Sequence, residues 1–221
     1  MKKEWSEEEL KGVADQLSNP QGTDGVKTGE RMNLSNANMT SRAIESLEIN
    51  DHDIVLEIGP GNGAHAGSVI SRAQNVKYHG VDISETMVLE AGKLNENLVL
   101  QGTAVFSITD GKKLEFAADY FDKIVTVNTV YFWQNPAEYA AEILRVLKSG
   151  GLFALTFSDK SFMEKLPFTK FGFQLYDRDN AENLLQQAGF EICKIIEEVE
   201  IIRGSLGEEV ERPICIIVGK K

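Results

Sequence analysis

Short runs of apolar residues alternate with amphipathic stretches along most of this chain. The runs are rich in Val, Ile and Phe and are bounded by turn-forming residues, which is typical of buried strands. We predict five such strands, at residues 54–58, 77–82, 104–108, 122–127 and 152–157. Because helix-like stretches separate them, the pattern predicts a mostly parallel sheet with helices on both faces.

The clearest helix signal follows the fourth predicted strand. Asn135 is a suitable N-cap, Pro136 suits the first helical position, and Glu138 stands where a capping-box carboxylate would. Gly150 marks the predicted end of this helix. Its predicted buried stripe is Ala140, Ile143, Leu144 and Leu147. Further helices are predicted at residues 36–48, after the first strand to about 73, and from about 85 to about 100.

The C-terminal part of the sequence changes character. A helix with the apolar stripe Ala181, Leu184, Leu185 and Ala188 is predicted to end at Gly189. Two strand-like segments follow, at about 191–202 and 213–218, joined by Gly204-Ser205-Leu206-Gly207. This spacing predicts an antiparallel pair that closes one edge of a seven-stranded sheet.

The N-terminal part reads as a separate segment. Turn-forming residues are concentrated at 18–25, after a short helix. We therefore divide the chain into an N-terminal helical segment at 1–49, a candidate cover for a site, and a main domain at 50–221. Within that domain, residues 159–176 form a candidate lid, because the stretch is rich in aromatic residues and too long for a bare connection.

The charge and the hydropathy of the chain narrow the classes of partner. The formal net charge is −11 and no basic run is present, which disfavours nucleic acid as a partner. No stretch approaches the apolar length of a membrane helix, so no membrane association is expected. Residues 1–9 lack the apolar core of a signal peptide, and a cytoplasmic protein is therefore the expectation.

The cysteines and histidines give no sign of a metal site. Cys193 and Cys215 lie in apolar strand-like segments, so we expect two buried free thiols in a reducing compartment. His52, His65 and His79 show no metal-ligand spacing with cysteine or with one another. No bound metal is expected.

A glycine-rich loop follows the first predicted strand. Gly59-Pro60-Gly61-Asn62-Gly63 stands at the carboxyl end of that strand, where open α/β sheets bind their ligands. Glycines allow a sharp turn and a close approach of the backbone to a ligand. With Ala66, the loop also satisfies a relaxed dinucleotide-binding pattern that starts at Gly61, so nicotinamide binding stays open at this point.

Three acidic positions surround this loop. Glu57, near the end of the first strand, would repel a diphosphate but attract a ligand that carries an ammonium and a sulfonium. Asp82 ends the second strand, where a carboxylate can accept hydrogen bonds from both ribose hydroxyls. Asp110-Gly111 follows the third strand and can face an adenine edge. Together these positions indicate an adenosine with a cationic amino-acid tail.

Four segments in order resemble motifs of the class I S-adenosylmethionine-dependent methyltransferases, from about residue 50 to residue 157. They are Val55–Gly63, Gly80–Met87, Asp110–Phe116 with Phe121–Ile124, and Leu144–Gly151. Glu115 departs from the family pattern, because relatives often carry proline there. The resemblance implies a Rossmann-like fold and S-adenosyl-L-methionine as the cofactor. The implied cofactor-binding residues are Glu57, Gly59, Pro60, Gly61, Gly63, Asp82, Ile83, Met87, Asp110, Gly111 and Asn128.

The resemblance also implies where the methyl acceptor binds. The segment after the fourth strand faces the methyl group in this family, so Tyr131 and Trp133 are expected to wall the acceptor pocket. Phe168 and Phe171 are expected to cap it, and Arg31, Met32, Asn33 and Asn36 to reach over it. The Asn-Pro-Pro-Tyr tetrapeptide of nucleic-acid amino methyltransferases is absent. A small-molecule acceptor is therefore expected, and no catalytic base can be named.

Two other functions stay open on the sequence. One is a non-catalytic regulatory protein that binds S-adenosylmethionine, and the other is an NAD-dependent oxidoreductase. The sequence does not indicate the acceptor atom or the oligomeric state.

Overall fold

Seven strands form one sheet in the order β3-β2-β1-β4-β5-β7-β6. The structure is a computed structural model that describes residues 5–203 and 209–221. The strands are β1 Ile54–Ile58, β2 Lys77–Asp82, β3 Ala104–Ile108, β4 Phe121–Val127, β5 Leu147–Ser158, β6 Glu191–Arg203 and β7 Glu209–Lys220. β1 to β5 are parallel, whereas β7 runs antiparallel to both β5 and β6. The predicted fold class is confirmed, and the predicted Gly204–Gly207 connection lies outside the described residues.

The first three strands have the predicted bounds, but β5 begins five residues earlier than predicted. Leu147 was expected to belong to the preceding helix and Gly150 to end it, and both predictions were wrong. Leu147 is fully buried and pairs with Phe121 on β4, ahead of a shift in register at Lys123. The gain from burying Leu147 in the sheet explains why the helix ends at Val146.

Eight α-helices surround the sheet within the described residues, together with short 3-10 helices at Val130–Phe132 and Pro167–Lys170. The α-helices are α1 Glu7–Ser18, α2 Gly22–Ser46, α3 Ala66–Ile70, α4 Glu85–Leu94, α5 Glu96–Leu100, α6 Pro136–Val146, α7 Lys160–Met163 and α8 Arg178–Ala188. The end of α8 at Gly189, with φ of 105°, is confirmed. The side-chain cap expected at Asn135 is absent from α6, because that amide donates to the carboxylate of Glu138 at 3.1 Å instead.

The long helix α2 is the largest departure from the sequence prediction. A helix was predicted only at 36–48 and turns at 18–25, yet α2 begins at Gly22. Its glycines allow close packing that a side chain would block. A Cβ at Gly25 would lie 2.6 Å from the backbone of Pro20, and one at Gly29 would lie 2.7 Å from the sulfur of Met87. Tertiary contacts therefore outweigh the low helix propensity of glycine.

The predicted helix from 85 to 100 is interrupted at Asn95. The side-chain nitrogen of Asn95 donates to the carbonyl oxygens of Gly63 (2.9 Å) and Ala91 (3.0 Å). This buried amide thus ties the glycine loop to α4 and separates α4 from α5. The helix after the glycine loop is also shorter than predicted, because α3 ends at Ile70 rather than near 73.

Both faces of the sheet are packed. On one face, Ala43 of α2 and Leu47 directly after it pack against Val125, Ala154 and Ile216 of the sheet. On the other face, α6 and α8 cover a larger aromatic and aliphatic core. No helix among the described residues is long and apolar enough to cross a membrane.

The two cysteines differ in exposure. Cys215 is buried, as predicted, whereas Cys193 is exposed, so the prediction of two buried thiols was wrong for Cys193. Cys193 lies where the pairing of β6 with β7 shifts register between Ile192 and Lys194. This irregularity at an edge strand leaves its side chain in solvent.

Candidate functional site

One cavity opens at the carboxyl ends of β1, β2 and β4 and is covered by α2. Its floor comes from the glycine loop and the strand ends, and its cover comes from residues of α1 and α2. The predicted site residues that line it are Glu57, Gly59, Pro60, Gly61, Asp82, Ile83, Met87, Asp110, Gly111, Asn128 and Trp133. Four predicted site residues do not line it: Gly63, Tyr131, Phe168 and Phe171.

The glycine loop needs backbone conformations that favour glycine. Gly59, Gly61 and Gly63 have φ values of 72°, 56° and 68°. A Cβ at Gly61 would meet no atom within 4 Å, so its backbone is open for a ligand to approach. Gly63 instead packs against Ala91 and Phe106, which explains why it lies behind the cavity wall.

Glu57 is a buried carboxyl at the end of β1. It is 4% exposed, and its Oε2 accepts a hydrogen bond of 2.7 Å from the hydroxyl of Tyr78. Burial raises the pKa of Glu57 to about 7, with a further contribution from the nearby charge of Asp82, although the Tyr78 hydrogen bond opposes the shift. A cation bound in the cavity would favour the charged carboxylate.

Asp82 faces the same cavity from the end of β2. Its Oδ2 accepts from the backbone N–H of Gly61 (3.1 Å) and its Oδ1 from that of Ser84 (2.9 Å). Burial raises the pKa of Asp82 to about 6, against the effect of these amides. The two hydrogen bonds fix the carboxylate across the glycine loop, so Glu57 and Asp82 share one cavity.

Asp110 lines the cavity from the loop after β3, but it is exposed. Its Oδ1 accepts from the backbone N–H groups of Lys112 (2.8 Å) and Lys113 (2.9 Å), which hold its pKa below the usual range. The carboxylate therefore stabilises its own turn. Gly111, with φ of 69°, lies beside Ile83, where a Cβ would come 3.1 Å from a methyl group.

Asn128 follows β4 and has the left-handed φ of 58°. Its Oδ1 accepts from the backbone N–H of Ser158 at 3.2 Å and lies 3.0 Å from the Tyr131 hydroxyl. Its Nδ2 lies 3.3 Å from the sulfur of Met39 on α2. Tyr131 was expected to wall the pocket, but it is buried behind Asn128, which it helps to hold in place.

The aromatic residues form two layers. Phe132 and Trp133 line the cavity, and the indole N–H of Trp133 donates to Thr129 Oγ1 at 3.2 Å. Phe173 packs against Phe132 with ring centroids 4.6 Å apart, and Phe168 packs against Phe173 at 5.8 Å. The aromatic residues of the candidate lid thus support the cavity wall, and neither Phe168 nor Phe171 lines it.

Sequence reasoning missed several lining residues. Met32, Asn33 and Asn36 of the expected cover do line the cavity, whereas Arg31 does not. The residues that were not anticipated include Leu17, Ser18, Pro20, Gly29, Thr40, His65, Gln134 and Tyr139. Most of the missed N-terminal positions depend on the path of α2, which its glycine-rich beginning concealed. The Nε2 atom of His65 is buried and unpartnered within the described chain, and burial lowers the pKa of this imidazole.

The sequence matches known proteins over the part that builds this cavity. A family model described as a methyltransferase domain matches residues 56–155. The uncharacterised methyltransferase YdaC of Bacillus subtilis is 30% identical over 131 residues, which cover 58% of this chain and 68% of that protein. The chain belongs to the class I S-adenosylmethionine-dependent methyltransferases.

Two further comparisons cover more of the methyltransferase. An O-methyltransferase of Pyrenophora dematioidea is 25% identical over 201 residues, or 87% of this chain and 71% of that protein. A methyltransferase of Haloferax volcanii, solved in complex with the activator Trm112, has the same fold with a TM-score of 0.74 and 17% identity. That alignment covers 88% of this chain and 93% of the other. The methyltransferase is therefore an enzyme with S-adenosylmethionine as its cofactor, and the oxidoreductase alternative is set aside.

The residues of the cavity fit this cofactor. Glu57 and Asp82 are buried carboxylates without a basic partner among the described residues, so they favour a ligand with positive charge and hydroxyl donors. The open face of Gly61 lies between them. A diphosphate at this place would meet two carboxylates and no lysine or arginine from the described lining.

Proposed function

We propose that this methyltransferase transfers the methyl group to a small molecule that is enclosed between the strand ends and α2. The observation that carries the proposal is the division of one cavity into an acidic end and an uncharged end. Glu57, Asp82 and Asp110 lie at the first. The rest of the described lining contains no lysine, arginine or further carboxylate, and burial favours the neutral form of the His65 imidazole by lowering its pKa.

The acidic end is proposed to bind the cofactor. Asp82 is held in position to accept hydrogen bonds from ribose hydroxyls, and Glu57 to face the cationic tail. Asp110 and Gly111 are proposed to face the adenine. The other proposed contacts are Gly59, Pro60, Gly61, Ile83 and Met87. Asn128, which the sequence assigned to the cofactor, is proposed to serve the acceptor instead. Gly63 does not line the cavity and is proposed to contribute by allowing the conformation of the glycine loop.

The chain's own contribution to the reaction is alignment and exclusion of water. S-adenosylmethionine supplies the methyl group and the leaving sulfur when it is bound. Helix α2 covers the cavity, while Phe132 and Trp133 provide apolar walls. Holding two reactants in line in such a site can lower the barrier by roughly 7–11 kcal/mol. Because this alignment lowers the barrier by itself, an acceptor that is already nucleophilic needs no general base.

The enclosed cavity and the charge of the protein support a small acceptor over a nucleic acid. A net charge of −11 repels a phosphate backbone, and no lysine or arginine lines the described cavity. Family membership leaves the acceptor open, so this part of the proposal depends on the chain's own residues.

The proposal is tested by binding and by turnover. Calorimetry should detect binding of S-adenosylmethionine and of S-adenosylhomocysteine but no binding of NAD. Asp82→Ala should lower the affinity for both sulfur nucleosides by at least about tenfold, because the side chain that accepts hydrogen bonds from the ribose is lost. Asp179→Ala, at an exposed acid remote from the cavity, is the matched control. Release of S-adenosylhomocysteine is then measured against a metabolite library and against total RNA. Turnover with RNA alone would overturn the small-molecule assignment.

A further inference from the structure

A buried arginine on β7 reaches the covering helix of the cavity. Arg212 is 5% exposed and donates from Nη1 to Asn36 Oδ1 (3.1 Å) and from Nη2 to the carbonyl oxygen of Ser35 (2.6 Å). Its Nε donates to Glu200 Oε1 at 2.7 Å, and Asn38 donates to the other oxygen of Glu200 at 2.8 Å. This network fixes one turn of α2 against the C-terminal strand pair.

The network also decides which way the Asn36 amide points. A guanidinium has only donors, so the atom of Asn36 that faces Arg212 is the oxygen. The amide nitrogen therefore points away from Arg212, and it has no hydrogen-bond partner among the described residues. Because Asn36 lines the cavity, its two N–H donors are available to a ligand there.

The orientation of the Asn128 amide is also set by a hydrogen-bond donor that faces it. The backbone N–H of Ser158 is a donor, so Oδ1 of Asn128 faces it and Nδ2 is the free end of the amide. Nδ2 lies near the weak acceptor sulfur of Met39, which leaves one hydrogen for a ligand. Two amides from different elements thus present donors to one cavity.

The contact between Arg212 and Asn36 lies on the side of the sheet away from Asp82, the proposed ribose acceptor. Asp82 ends β2, whereas Arg212 is on β7, four strands further along the sheet. With a strand spacing of about 4.8 Å, the two strands are roughly 19 Å apart. Asn128 follows β4, between them. The two amides therefore belong to the end of the cavity that is left for the acceptor.

We propose that the acceptor is an uncharged molecule whose carbonyl or hydroxyl oxygen accepts hydrogen bonds from Asn36 and Asn128, with Arg212 as the positioning residue for Asn36. An anion would find no lysine or arginine in the described lining of the cavity, and a cation would meet the amide donors of Asn36 and Asn128 at this end. The proposal rests on the proposed function and adds the chemical class of the acceptor.

The first test uses three probes that share a 4-hydroxyphenyl group: neutral 4-hydroxyacetophenone, anionic 4-hydroxybenzoate and cationic 4-hydroxybenzylamine. Their binding to the protein loaded with S-adenosylhomocysteine is measured by ligand-observed NMR. The neutral probe should bind at least about tenfold more tightly than either charged probe. Equal or tighter binding of the anion, or no binding of the neutral probe, overturns the proposal. Failure of S-adenosylhomocysteine itself to bind overturns the proposed function instead.

The second test changes one atom of Asn36. Asn36→Asp keeps the size of the side chain and its contact with Arg212, but it replaces the donor nitrogen with an acceptor oxygen. The neutral probe should bind about tenfold more weakly and the cationic probe more tightly, with the affinity for S-adenosylhomocysteine unchanged. Asn38→Ala, which touches the same ion pair but does not line the cavity, should leave the preference intact. An unchanged preference in Asn36→Asp contradicts the proposal.

The third test addresses the positioning role of Arg212. Replacing the buried pair together, as Arg212→Met with Glu200→Leu, avoids leaving one charge unpaired and retains the fold. The Asn36 amide is then free to rotate, so the neutral probe should lose several-fold in affinity while S-adenosylhomocysteine binds as before. A double variant with unchanged affinity for the neutral probe would refute the role of Arg212.

Discussion

The hydroxyl of Tyr78 donates to Glu57 Oε2 over 2.7 Å, and both side chains are buried on adjacent parallel strands. This hydrogen bond stabilises the charged form of Glu57, but burial outweighs it and keeps the pKa near 7. Glu57 is therefore incompletely ionised at neutral pH when no cation is bound. The charge of Glu57 therefore depends on whether a ligand is bound as well as on the pH.

The first prediction concerns stability. The folded-state pKa of Glu57 is raised from 4.5 to about 7, so the cofactor-free protein loses stability as the pH rises through this interval. Glu57→Gln imitates the protonated form and should be more stable than the wild type at pH 8, by on the order of 3 kcal/mol. At pH 4 the difference should vanish. Urea unfolding at both pH values checks this, and a variant less stable at pH 8 would contradict it.

The second prediction concerns the pH dependence of cofactor binding. Because a cation prefers the ionised carboxylate, the affinity for S-adenosylmethionine should rise between pH 6 and pH 8 in the wild type. Glu57→Gln should bind at least about tenfold more weakly and lose most of this dependence. Calorimetry across the pH range measures both effects. Glu115→Gln, at an exposed loop acid, is the control and should retain the wild-type profile.

The third prediction concerns the glycines of the covering helices. Gly25→Ala should destabilise the protein by about 1–3 kcal/mol, because the added Cβ meets the backbone of Pro20. Gly12→Ala in α1 is the matched control, since its Cβ would meet no atom within 4 Å. That variant should gain roughly 0.5–1 kcal/mol from helix propensity. Chemical denaturation should show a lower free energy of unfolding for Gly25→Ala and a higher one for Gly12→Ala. A change in the same direction for both variants would contradict the packing argument.

The fourth prediction concerns the backbone at Asn128. Its φ of 58° destabilises an alanine at this position by roughly 1–2 kcal/mol, whereas a glycine adopts this φ without strain. Asn128→Gly should therefore be more stable than Asn128→Ala, although both lose the same side-chain contacts. At Gln186, in the exposed face of α8, alanine should be the more stable replacement. Thermal unfolding of the glycine and alanine variants at both positions shows which replacement is the more stable at each. If the same replacement were the more stable at both positions, the backbone effect at Asn128 would be excluded.

The fifth prediction concerns the thiols. Cys193 is exposed, whereas burial raises the pKa of Cys215 to about 12. A thiol-reactive reagent such as Ellman's reagent should therefore label one cysteine in the native protein and two after denaturation. Cys193→Ser should remove the fast reaction. Rapid labelling of the native Cys193→Ser variant would show that Cys215 is reached by solvent.

Local pattern was enough to predict the sheet but not the cover of the site. The runs at 54–58, 77–82 and 104–108 are short and bounded by turn formers, so their strand bounds follow from the sequence alone. Gly22, Gly25 and Gly29 indicate turns by themselves. Gly25 and Gly29 fit within a helix because Pro20 and Met87 pack where their side chains would be, and the contact of Gly29 with Met87 joins residues far apart in the sequence.

In the candidate site, too, some residues could be predicted from the local sequence and others could not. Glu57, Gly61 and Asp82 were predicted because one loop and two strand ends bring them together. Phe168 was expected in the cavity on aromatic content alone, but it packs behind Phe173. The orientation of Asn36 was beyond prediction, because it is set by Arg212, which lies 176 residues away along the chain.

Helix α2 contacts both ends of the cavity, at Gly29 beside Met87 and at Met39 beside Asn128. Any movement of this helix on binding of one ligand would alter the contacts that it offers to the other. The affinities for the methyl donor and the acceptor would then be linked, and the linkage would be equal in both directions. Dissociation of the demethylated product would in that case depend on whether the methylated acceptor had already left.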